Sequence, residues 1–142
     1  MRSALVILLL YGGTAEVRAL CATTTLEKQF AASRVVFVGR AISRELDEPS
    51  KTALTTFEVE EMWKGSQATT ISIRTCGEVV RRDLGIMFIC NPDNITFQVG
   101  TRYLIFARGE PLETNECLPT GVIEQSEAAL RWLADKPRIA TR

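Results

Sequence analysis

Cysteine is the residue type in this chain with the most chemistry open to it. There are four, Cys21, Cys76, Cys90 and Cys117, in 142 residues that contain no histidine. A thiol becomes a nucleophile when a neighbouring base or cation lowers its pKa, and the commonest such base, imidazole, is absent. The same absence removes Ser-His-Asp triads and every His-ligated metal site. No two cysteines lie closer than fourteen residues and there is no CxxC pair, so the spacing does not fit a thiolate metal centre. An even cysteine count in an exported chain instead predicts two disulfides. Three connectivities are open, and spacing does not choose among them.

The other candidate groups are ordinary. Glu58, Glu60 and Glu61 lie in an alternating segment that puts two carboxylates on one solvent face, and calcium needs more oxygen ligands gathered in a turn. Arg81 and Arg82 read as a solvated loop, and Asn94-Ile95-Thr96 matches a glycosylation sequon. With no nucleophile–base pair, metal cluster or phosphate loop, the chain is expected to be no enzyme and to carry no cofactor. Seventeen basic residues balance seventeen acidic ones, which argues against a nucleic-acid binder.

The N-terminus bears on the compartment. Arg2, the apolar run Ala4 to Tyr11 and the small residues Gly12 to Ala15 follow the order of a secretory signal peptide. The run is too short for the ~20 residues that span a bilayer, so no membrane span is expected. Val17-Arg18-Ala19 offers a cleavage site, giving a signal peptide over 1–19 and a mature chain from Leu20; Ala15 is the other candidate. Cleavage after Ala19 removes Arg2, Arg18 and Glu16 and leaves 15 basic against 16 acidic residues. The expected location is extracytoplasmic, periplasmic or extracellular.

Elements must position these residues. Thr24-Thr25-Leu26-Glu27 has capping-box spacing, and Leu26 and Phe30 share a face, which predicts a helix over 25–33. Arg34 to Arg44 reads as a long strand with a bend at Gly39. Thr52 to Trp63 and Thr70 to Thr75 alternate, with Phe57, Val59, Ile71 and Ile73 inward. Phe97 to Arg108 turns at Gly100 and continues as a strand, and Leu112 to Cys117 reads as a fifth. Residues 76–95 are the least regular. Ile123, Leu130 and Leu133 mark a helix over 122–136 that Pro137 stops. Trp63 reads as continuing the inward set Phe57-Val59-Glu61 with a local bulge, or capping the end of the core, with an exposed partner anchor as the alternative, and Trp132 as packing on the core. Five unequal strands with a helix at each end favour a small Greek-key barrel over an open sandwich.

Several of these pieces together resemble the netrin-like module, the family that includes the N-terminal domain of tissue inhibitors of metalloproteinases. They are Cys21 with Phe30 nine residues on, Val35 to Arg40 (VVFVGR), Phe57-Glu58-Val59 through Trp63-Lys64-Gly65, Phe97 to Gly100 leading into Tyr103 to Ala107 (YLIFA), and Leu112-Glu113-Thr114 running to Cys117. The resemblance covers roughly residues 21–133. It implies a mainly β, five-stranded OB-type barrel over 20–137 with a flexible tail at 138–142. It also implies Cys21–Cys117 and Cys76–Cys90 bridges; the competing choice is Cys21–Cys90 with Cys76–Cys117. Family members commonly begin Cys-x-Cys, and the first of those positions is Ala19 here.

The resemblance implies a secreted, non-enzymatic protein-binding module, expected to act as a monomer, with metalloendopeptidase inhibition as the family's version of that activity. An extracellular zinc metalloprotease would then meet the N-terminal edge, Cys21, Ala22 and Thr23. The alternative is a structural or cell-envelope interaction domain with no protease target.

Overall fold

The computed structural model describes residues 24–47, 49–77, 80–81, 86–87, 95–115 and 117–141. The signal-like segment, Cys21, Ala22, Thr23, Cys90 and Asn94 lie outside them. In chain order the elements are α1 (Leu26–Ala32), β1 (Val35–Asp47), β2 (Thr52–Lys64), β3 (Thr70–Cys76), β4 (Val80–Arg81), β5 (Ile86–Met87), β6 (Arg102–Ala107), β7 (Gly121–Val122), a 3-10 turn (Ile123–Gln125) and α2 (Glu127–Leu133). The fold is mainly β. Five antiparallel strands form one sheet in the order β3-β2-β1-β6-β7, and β4 pairs with β5 as a separate ribbon.

The two apolar strand words, Val35-Val36-Phe37-Val38 and Tyr103 to Ala107, are buried throughout rather than on alternate positions. A strand reads this way when both of its faces are covered. On one face Val35, Phe37, Tyr103, Ile105 and Ala107 join Phe57, Ile73 and Phe97 in the larger core. On the other, Val36, Val38, Leu104 and Phe106 join Trp63, Leu118, Ala129 and Leu133 beneath the helices. Phe37, Phe57, Phe97 and Tyr103 meet edge to face across the larger core, with centroids 4.9–6.1 Å apart, the arrangement that ring quadrupoles favour.

A bulge sets the end of β2. Val38 pairs with Glu61 and Gly39 with Val59, so Glu60 is the extra residue and the alternation reverses beyond it. Met62 therefore takes the inward place after Val59 in the larger core, and Trp63 is buried on the opposite face, against α2. This corrects the expectation that Trp63 continues the Phe57–Val59 set. Gly39 sits at the same irregularity. A Cβ there would meet the Glu58 carbonyl oxygen at 2.7 Å and the Phe37 ring at 3.0 Å.

Other boundaries differ from the sequence reading for identifiable reasons. The N-cap is Thr25, whose Oγ1 accepts from Lys28 N–H at 3.3 Å; the third helical position is then Lys28, and the Thr24–Glu27 capping box does not form. The expected strand over 112–117 is reduced to bridges at Glu113, and the fifth strand of the sheet is Gly121–Val122. Between these points the main chain of Phe106 is held by hydroxyls. Its N–H donates to Thr120 Oγ1 at 2.8 Å, and its carbonyl accepts from Thr114 Oγ1 at 2.7 Å. Toward the C-terminus, Ile139 N–H donates to the Met62 carbonyl at 2.7 Å and Arg138 pairs with Glu61, so the segment expected to fray begins with two anchored residues.

Glu113 makes two backbone bridges. It bridges Arg108 of the chain just beyond β6 in antiparallel fashion and Arg74 of β3 in parallel fashion. Arg74 N–H donates to the Leu112 carbonyl at 2.8 Å, and the Arg74 side chain pairs with the Glu113 carboxylate.

Gly39→Ala should cost about 2 kcal/mol or more, because the obstacle is backbone of the neighbouring strand. At Gly100, where nothing lies within 4 Å of a Cβ and only the φ of +90° opposes it, Ala should cost about 1 kcal/mol. Urea unfolding of the two variants checks the order.

Candidate functional site at the N-terminal edge

Of the residues expected to meet a partner, Cys21, Ala22 and Thr23 fall outside the described residues, which begin at Thr24 directly before α1. The site can be built from the element that follows them. α1 is seven residues long and none of its residues is fully buried. A helix this short does not form on its own in water, so its position rests on contacts from distant parts of the chain.

Three such contacts fix it. Gln29 Nε2 donates to the Cys117 carbonyl at 2.9 Å, joining the helix to the loop after Glu113. Lys64 Nζ, from the end of β2, donates to the Phe30 and Ala31 carbonyls at 2.7 and 2.8 Å. Phe30 meets Trp132 of α2 edge to face, with centroids 5.5 Å apart, and Lys136 lies 4.3 Å from the centre of the Trp132 ring. Trp132 thus packs on α1 as well as against the core beneath the helices, where the sequence reading placed it.

The lysine contact explains how α1 ends. Its last turn carries no basic residue, and its C-cap is Ser33 in extended conformation rather than a left-handed glycine. Terminal carbonyls need partners, and a cation there also complements the helix dipole. Lys64 supplies both from a strand thirty-three residues on. Gly65 follows at φ +123°, a backbone conformation that favours glycine. The sequence displayed Lys64-Gly65 as a turn, but its target was not visible. The readable signal was a helix lacking a C-terminal cap of its own.

Cys76 and Cys117 are both disulfide-bonded. Cys76 closes β3 opposite Thr52 of β2, whereas Cys117 lies in the loop that receives Gln29. Beside α1 a cleft of about 410 Å³ is lined by Leu26, Pro119, Gly121, Gln125, Ala128 and Ala129. It is mostly apolar and abuts the start of the helix.

The acidic cluster reads differently in three dimensions. Glu60 accepts from Arg102 Nε at 2.8 Å and lies 3.8 Å from Arg40, and Glu61 pairs with Arg138 at 3.1 Å. The Glu60 hydrogen bond, then its charge, holds the Arg102 guanidinium above its ordinary pKa, with desolvation acting weakly against it. Two of the three glutamates are therefore ion-paired, Glu60 across strands and Glu61 with the segment after α2, which the alternating pattern did not reveal. Among the described residues no group of three or more His, Cys, Asp or Glu is placed to hold a metal, and no helix is long and apolar enough to cross a membrane.

Compared with protein-family models and with curated proteins, the chain matches none.

The Phe30–Trp132 contact should be measurable. A double-mutant cycle with Phe30→Leu and Trp132→Leu should give a coupling energy of about 1 kcal/mol by thermal or urea unfolding. Additivity of the two variants would show that the rings do not hold α1.

Proposed function

We propose that this chain is an exported, non-enzymatic protein-binding module of netrin-like type that engages an extracellular zinc metalloprotease through its N-terminal edge. The observation that carries the reading is the anchoring of α1. The residues that would meet a partner directly precede a helix tied to the Cys117 loop, to β2 and to α2. A partner-binding segment held in advance loses less entropy on association.

The sheet runs β3-β2-β1-β6-β7, with β7 paired to Tyr103 and Leu104 of β6, and a segment that contacts the chain just beyond β6 on one side and β3 on the other links that side of the row back to β3. Glu113 makes both contacts, antiparallel to Arg108 and parallel to Arg74. We infer from them a sheet closed as an OB-type Greek-key barrel, with the 112–114 segment as the short link that closes it. The bridge expected between Cys21 and Cys117 fits the same picture, because it would tie the chain before α1 to the loop that Gln29 already reaches. Such a bridge closes a loop of nearly a hundred residues, for which chain-entropy models give roughly 4–5 kcal/mol.

The family's mode of inhibition places a free terminal amine of cysteine on the protease zinc. The lone pair of a peptide nitrogen is delocalised and cannot replace that amine. The mature terminus therefore decides whether this chain acts by zinc ligation or by edge contacts alone. N-terminal sequencing and intact mass of the exported protein, followed by assays against a panel of zinc endopeptidases, test the proposal. Inhibition with a terminus at Cys21 corresponds to zinc ligation, and inhibition with a terminus at Leu20 to edge contacts. If micromolar mature protein inhibits no member of the panel, the reading fails, and an interaction domain without a protease target takes its place.

A further inference from the structure

We infer that Lys64, with Gln29 as its counterpart at the other contact, is the positioning residue of α1, the helix at the N-terminal edge: it caps α1 from β2 and so sets where that helix stands on the sheet. The inference rests on the proposed docking role of that edge for its functional meaning, but its structural content stands on contacts within the chain.

The main-chain accounting of α1 supports it. Gln29 carbonyl accepts from Ser33 N–H at 3.0 Å and from Ser33 Oγ at 2.7 Å. The next two carbonyls, of Phe30 and Ala31, go to the Lys64 ammonium, which also lies 5.3 Å from the centre of the Phe30 ring. One side chain thus holds two carbonyls and one ring of the same helical turn. An ammonium with three donors can do this; an apolar side chain of equal length keeps the packing and loses every polar contact.

Lys64 is also placed firmly enough to transmit position. It ends the strand whose previous two residues, Met62 and Trp63, are buried in the two opposite cores, and it pairs with Val36 of β1. Its backbone is therefore fixed by both cores at once, whereas α1 buries no residue completely. The dependence runs from strand to helix. Losing the ammonium should free α1 while leaving the sheet intact, because helices held by few buried contacts open at lower free energy than core strands.

The experiment uses the mature protein and three variants, Lys64→Met, Lys64→Arg and Gln29→Ala, with amide hydrogen exchange followed along the chain. In Lys64→Met the amides of Leu26–Ala32 should exchange at least tenfold faster, with β1 and β6 amides within twofold of wild type. Gln29→Ala should give a smaller acceleration confined to α1, and Lys64→Arg, which keeps the charge and donors, should recover most of the protection. Unchanged exchange in α1 of Lys64→Met overturns the inference. So does acceleration shared equally by β1 and β6, which would make Lys64 a general stabilising residue. Protease inhibition is read on the same samples. Freed α1 with undiminished inhibition would leave the positioning contact standing and count against the N-terminal edge as the binding surface, so the two readings fail separately.

Discussion

The constraint on which the rest of the structure depends is that β1 and β6 are apolar on both faces where Val35 to Val38 pair with Ala107 to Leu104. Val35 to Arg40 pairs with Ala107 to Arg102 in unbroken antiparallel register, and from Val35 to Val38 no side chain of β1 reaches solvent appreciably. A pair of strands like this cannot stand at the surface of a sheet. Its inner face requires the aromatic set around Phe57 and Phe97, and its outer face requires a second layer. The short helices supply part of that layer. Seven residues each, they would not persist in isolation, and they are helical because Leu133, Ala129 and their neighbours cover Val36, Val38, Leu104 and Phe106.

That dependence accounts for what could be read from the sequence. The words VVFV and YLIFA show no alternation, and such runs mark strands enclosed from both sides. The period change near Ile123 marked the last helix, and Gly39 and Gly100 marked a bend and a turn that the register and backbone bear out. The bulge at Glu60 was less visible, because it is a property of pairing with β1 and not of β2. Alternation along Phe57-Glu58-Val59 gives no warning that Met62 and Trp63 will part to opposite cores. The segment from Leu112 to Cys117 failed as a strand for a similar reason. Phe106, near the end of β6, is partnered there by the hydroxyls of Thr114 and Thr120, and side chains standing in for main chain leave no periodic trace.

The candidate site was legible in its ingredients and not in its arrangement. Cysteine number and spacing indicated disulfides, and Cys76 and Cys117 are bonded, but a choice of partners is a fact of three-dimensional proximity that spacing does not contain. The contacts that hold α1 are longer still in sequence. Gln29 reaches across eighty-eight residues to Cys117, and Lys64 across thirty-four to Phe30. Neither residue type is informative alone, since exposed lysines and glutamines are the commonest surface residues of any helix-and-strand protein.

The balanced charge of the chain acquires a location in the structure. Glu60 is met across the strands by Arg102 and Arg40, Glu61 by Arg138 of the segment after α2, and Glu113 by Arg74. Each of these exposed pairs contributes little to stability, about 1 kcal/mol at most. Their consequence is for recognition. A partner approaching this ribbon of sheet meets carboxylates and guanidinium groups already compensated, and would have to desolvate pairs that gain nothing new from it. The α1 end differs. There a mostly apolar cleft adjoins a helix whose polar contacts face inward to Cys117 and Lys64. Burial of apolar surface is favourable without the breaking of existing pairs, so a protein docking at that cleft would displace none of these ion pairs.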